Sequence, residues 1–131
     1  MASIRKEFEI DAAPETVWAA MREIGEIHRK LAPGFVTDCR MDGDNARIVT
    51  FANGLVAREV IVDVDEQAHR VVWTIPEGRL EHYHASSQVI SKGDRAAVVW
   101  IADFLPHDAK PAVAAMIDAG GAAMQKALGR K

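Results

Sequence analysis

Residues 47–64 read RIVTFANGLVAREVIVDV, and the reading of this stretch decides the fold. Two apolar runs of strand character flank Asn53-Gly54, a pair whose tolerance of positive φ predicts a two-residue type I′ hairpin turn. From here the pattern extends both ways with a period of two. Upstream, Val36–Met41 forms a strand closed by Asp42-Gly43-Asp44-Asn45, and Arg47–Phe51 returns from it. Downstream, the long strand Leu55–Val64 turns through Asp65–His69, and Arg70–Ile75 comes back to Pro76-Glu77-Gly78. His82–Ile90, the tight turn Lys92-Gly93-Asp94 and Ala96–Phe104 complete the series. Six strands joined by turns this short form an antiparallel meander.

The flanks of the meander are different in kind. Ile4, Phe8 and Ile10 oppose Arg5, Glu7 and Glu9, so the first segment is a half-buried strand despite Lys6 on its apolar side. A helix follows, with Asp11 or a later residue as its cap, Pro14 in the first turn, and Val17, Trp18 and Met21 as its stripe. Gly25 interrupts it, and Glu26–Leu31 makes a second short helix ended by Pro33-Gly34. At the other end Pro106 stops the sheet. Asp108 is placed to cap a last helix with Pro111 in its first turn, and Val113, Met116, Ile117, Gly120, Met124 and Leu128 form one apolar face. The fold class is α+β, in one domain spanning residues 1–131. A sheet with one face in need of cover and a long amphipathic helix to cover it leave volume between them, which is where a pocket forms.

The bulk composition excludes several function classes. With 49% hydrophobic and 27% charged residues the chain has an ordinary globular mix. A net charge of −3, with scattered basic residues and small surface pairs such as Arg5-Lys6 and Arg29-Lys30, offers no footprint for nucleic acid. Met1 to Glu7 turns charged at once, without the apolar run of a signal peptide, and no stretch is apolar enough to insert in a membrane. The lone Cys39 fits a reducing, cytoplasmic compartment and reads as a buried or half-buried strand thiol.

Recognisable catalytic signatures are absent: there is no G-x-S-x-G, phosphate-binding loop or dinucleotide fingerprint. His82-x-His84 would need a third ligand from elsewhere to hold a metal, so neither metal nor cofactor is expected. Gly120-Gly121 is the oddity of the last helix, since each glycine costs about 1 kcal/mol there relative to alanine. The pair either opens room for a ligand or admits a close backbone approach. Met116 and Met124 flank it and suit an adaptable cavity or plain core. Trp18 reads as core, whereas Trp73 and Trp100 lie mid-strand and can wall a cavity. Arg58 and Glu59 are consecutive, so one faces in and the other out; periodicity groups Arg58 with Val60, Val62 and Val64, and Glu59 with Ala57 and Ile61, without saying which. A lone carboxylate in an apolar cavity would have a raised pKa and acid/base capacity. His28, beside Leu31, is a surface or capping histidine or a catalytic one.

Taken in order, several short segments carry a resemblance over essentially the whole chain. They are Ala13-Pro14-Glu15-Thr16-Val17-Trp18, Val56-Ala57-Arg58-Glu59 leading to Asp65, Val71-Val72-Trp73, Glu77-Gly78, and Val98-Val99-Trp100 running into Phe104 and Pro106. The sequence resembles the START-like, helix-grip (SRPBCC) superfamily, and more narrowly the bacterial polyketide cyclase/dehydrase-type proteins. That resemblance implies a curved sheet of about seven strands around the C-terminal helix, two short helices after the first strand, and an enclosed cavity for apolar molecules. It also implies that Glu59, Trp73, Tyr83 and Trp100 point inward. The expected ligand-binding set is His28, Leu31, Phe35, Phe51, Glu59, Trp73, Tyr83, Trp100, Met116, Gly120 and Met124.

Three functions compete on this reading. The first is a binder of a small hydrophobic partner, of lipid, polyketide or aromatic type, acting as monomer or homodimer. The second is a cyclase or dehydratase with Glu59 or His28 as acid/base. The third is a chaperone-assisting interaction module, which predicts a filled interior and an exposed apolar patch.

Overall fold

The computed structural model describes residues 2–129, so Met1 of the opening stretch lies outside the described residues. The chain runs β1 (Ala2–Ile10), α1 (Pro14–Met21), α2 (Ile27–Lys30), β2 (Val36–Met41), β3 (Ala46–Phe51), β4 (Val56–Asp65), β5 (Arg70–Thr74), β6 (His82–Lys92), β7 (Arg95–Leu105) and α3 (Lys110–Leu128). The strands form one antiparallel sheet in the order β1-β7-β6-β5-β4-β3-β2. Short turns make each strand of the meander the neighbour of the next. β1 then closes on β7, pairing Ala2 with Phe104 through to Ile10 with Ala96. This is the helix-grip architecture: a curved sheet with α3 against its inner face.

Three local expectations are corrected. The Asn53-Gly54 turn is not type I′, because only Gly54, at φ 89°, has positive φ there. Gly54 N–H donates to the Phe51 carbonyl and Phe51 N–H to the Leu55 carbonyl, so the loop is three residues long with glycine in the left-handed position. The Asn53 side chain is used instead to accept from Leu55 N–H at 3.1 Å. Asp11 and Asp108 are not helix caps. Ala13 and Ala109 hold the N-cap positions of α1 and α3 with no side-chain bond, and Asp108 sits in a 3₁₀ turn, His107–Ala109. Both α1 and α3 have proline in the first turn, where the missing N–H costs nothing.

A bulge settles how β4 presents its side chains. Ile61 pairs with Trp73 but Asp63 with Val72, so Val62 is an extra residue and the alternation reverses across it. Glu59 and Ile61 face in, Arg58 faces out, and Val64, beyond the bulge, packs against the core. The single periodicity that grouped Arg58 with Val64 therefore does not hold over the whole strand.

The core runs along the sheet's inner face and under α3, with Ile10, Val17, Val49, Val71, Val98, Phe104 and Ile117 almost fully buried. α1 lies at the β4–β5 turn, where Trp18 stacks on His69 at 5.1 Å and donates to Glu66 Oε1 at 2.8 Å. The two helix glycines are explained by aromatic rings. A Cβ on Gly121 would fall 2.2 Å from Phe8 Cε1, and one on Gly120 would fall 2.7 Å from Trp100 Cζ3. They let β1 and β7 press their rings against the helix backbone, so the close-approach reading is the one realised.

Candidate functional site

Between the sheet and α3 lies a cavity of about 330 Å³. Its floor is the inner face of β3 to β7, because inward positions recur every second residue. Val49, Phe51, Val71 and Trp73 belong to this floor, and Val113, Met116 and Met124 of α3 close it from above. The segment after α2 adds Leu31 and Phe35, and the β5–β6 loop adds Leu80 at the rim. Aromatic contacts stiffen the walls: Trp73 and Trp100 meet edge to face at 6.1 Å, and Phe35 and Phe51 at 5.3 Å.

Of the residues expected from the sequence, Leu31, Phe35, Phe51, Glu59, Trp73, Tyr83, Trp100, Met116 and Met124 all lie on this lining. His28 and Gly120 do not. Gly120 is covered by the Trp100 ring, and His28, on α2, is not among the lining residues; its Nδ1 is buried with no hydrogen-bond partner among the described residues.

Sequence reasoning missed Arg47. It stands directly opposite Glu59 in the β3–β4 register and is 4% exposed. Its Nε and Nη2 both lie 2.8 Å from Glu59 Oε1, Nη1 donates to the Ile24 carbonyl at 3.1 Å, and the guanidinium sits 5.6 Å from the Trp73 ring. The available signal was its place two residues before Val49 and four before Phe51, on the inward face of β3. A charged residue at an inward position is expected only with a partner, and Glu59 supplies it. The isolation on which a solitary acid/base carboxylate rested is thus absent.

Burial, reinforced by the nearby Glu59 charge, pushes the Tyr83 hydroxyl well above its ordinary value. The Trp100 indole lies close enough to oppose that rise slightly, yet Trp100 Nε1 makes no hydrogen bond of good geometry. Burial likewise raises the Cys39 thiol, against the opposing pull of Arg47, and Sγ donates to the Ile24 carbonyl at 3.7 Å. That is a packed structural thiol. Among the described residues no three His, Cys, Asp or Glu side chains converge as a metal set, and no helix is long and apolar enough to cross a membrane.

A curved antiparallel sheet gripping a C-terminal helix over an internal cavity defines a START-like protein. The sequence matches, over residues 1–130, the family described as polyketide cyclase / dehydrase and lipid transport, and the chain belongs to that family. Among solved structures it is similar to the XoxI protein of Bacillus cereus, at 19% identity and a TM-score of 0.86, covering 98% of this chain and 96% of that one. A Thermobifida fusca protein is 27% identical with a TM-score of 0.78, covering 98% and 91%. A START superfamily protein of Mycobacterium smegmatis is 12% identical with a TM-score of 0.78, covering 96% of each chain. No curated protein matches it in sequence.

Proposed function

We propose that the protein binds a small hydrophobic molecule, of lipid, polyketide or aromatic type, in the cavity between the sheet and α3. The observation that carries this is the cavity itself: about 330 Å³ of space, at the lower end of the usual range for small-molecule sites, roughly 300–1,000 Å³. A globular core normally packs without voids of this size. The family description, which includes lipid transport, supports the same reading. An interaction module with a filled interior is correspondingly less favoured. The lone buried thiol supports a reducing, cytoplasmic setting.

The test is native mass spectrometry with thermal-shift measurement against a panel of lipids, polyketide-like ketones and aromatic compounds. At least one class should appear as a bound adduct and raise the melting temperature. A panel with no adduct and no shift would overturn the reading. A cyclase or dehydratase is the second reading, favoured by the position of Glu59 on the cavity wall. It predicts that Glu59→Gln removes turnover of a polyketide-type substrate while the circular dichroism spectrum stays native.

A further inference from the structure

The ion pair in the cavity wall is wired asymmetrically. Arg47 Nε and Nη2 both reach the same oxygen of Glu59, Oε1, while Nη1 is held by the Ile24 carbonyl. All three guanidinium nitrogens are engaged by the protein. Among the described residues the second carboxylate oxygen, Oε2, receives no such bond. Nor is it sealed in: among the described residues the buried side-chain N and O atoms without a partner are His28 Nδ1 and Trp100 Nε1 alone. The Glu59 side chain is only 7% exposed and lies on the lining of the cavity. A carboxylate with one uncommitted oxygen thus belongs to the wall of an apolar space that Trp73, Tyr83 and Trp100 also line.

We infer that the cavity selects a neutral apolar molecule bearing a hydroxyl, a phenol or ring alcohol, which donates to Glu59 Oε2, and that it discriminates against free carboxylates such as fatty acids. This rests on the ligand-binding reading and narrows it. A ligand that excludes water without offering a donor leaves a carboxylate oxygen unpaired in an apolar site, which is disfavoured. A ligand carboxylate would meet the Glu59 charge with the buried cation already committed. Arg79, on the exposed β5–β6 loop, is screened by water and compensates little. A ligand cation fares no better, since it would be buried beside Arg47 in a pair that is already neutral. The edge-to-face tryptophans favour a ring over a flexible chain as the apolar body.

The experiment uses three probes of matched shape, 2-naphthol, naphthalene and 2-naphthoate, titrated into the full chain by calorimetry or tryptophan fluorescence. A hydrogen bond to a charged acceptor implies that naphthol binds about ten-fold or more tightly than naphthalene, with naphthoate weakest. In the double variant Arg47→Met with Glu59→Leu, the advantage of naphthol over naphthalene should disappear. Naphthalene equal to naphthol, naphthoate as tight as naphthol, or a preference for naphthol that survives in the folded double variant would each overturn the inference. So would a lipid that binds when naphthol does not. These outcomes leave hydrophobic binding standing, whereas a failure of all three probes and of the wider panel removes both.

Discussion

Tyr83 is the chain's one tyrosine, so its titration can be followed without assignment. Burial first, then the Glu59 charge, raises its hydroxyl above the ordinary value. A raised acid contributes stability that is fully present below the unfolded value of about 10 and is lost as pH rises through the folded value. Phenolate absorbance should therefore be missing where a free tyrosine ionises, and appear only as alkali unfolds the protein. Normal titration near pH 10 with native circular dichroism would show that the hydroxyl meets solvent. The glycines offer a test by sign. Gly121→Ala gains about 1 kcal/mol from helix propensity, but its Cβ would meet the Phe8 ring. We expect a net loss of about 1–3 kcal/mol in urea unfolding, as for other overpacked cores; a gain would mean that Phe8 moves aside freely. At Arg47, replacement by methionine strands the Glu59 charge and should cost about 3–5 kcal/mol, with much of that recovered when Glu59→Leu is added.

At the scale of elements, α1 is tied to the β4–β5 turn by one exposed carboxylate. Glu66 Oε2 lies 2.8 Å from Arg22 Nη2, and Oε1 accepts from Trp18 Nε1 at 2.8 Å. The Arg22 bond first and the Trp18 bond second hold Glu66 below the usual glutamate value. A lowered carboxyl contributes stability that is present above the unfolded value, about 4.3, and is lost as pH falls through the folded one. Glu66→Gln should flatten this part of the acid limb of melting temperature against pH, most visibly at low salt. An unchanged acid limb would show that the tie is not a stability determinant. The elements themselves were largely legible from residues. Val36–Met41 is a strand over the range expected, and Pro14 and Pro111 mark helix starts as read. The caps were not legible, because Asp11 and Asp108 have the right chemistry at positions whose backbone does not offer the first-turn N–H groups. The Asn53-Gly54 loop held its place but not its type, since one extra residue in the turn leaves only Gly54 with positive φ.

For the whole molecule, a ligand bound by the native state alone raises stability by mass action, about 2.7 kcal/mol at a hundred times its dissociation constant. Melting temperature should climb with ligand concentration without a plateau at stoichiometry; a shift that saturates at one equivalent of a weak ligand would point to another cause. The same cavity makes the interior sensitive to filling. Met116→Trp, at a half-buried lining position of α3, should weaken ligand binding while leaving the far-UV spectrum native.

By itself the sequence determined the order of elements, the antiparallel meander and the presence of a long helix to cover it. These follow from local periodicity and from turns too short for any other connection. It also placed Trp73, Trp100 and the two methionines mid-element, where walls form. Only the tertiary structure decided which of Arg58 and Glu59 turns inward, because a bulge at Val62 breaks the period on which that inference depends. Only it showed Gly120 beneath an aromatic ring and Arg47 against Glu59. Those contacts join residues far apart or on facing strands, and a one-dimensional pattern records spacing along the chain but not the register that brings two strands together.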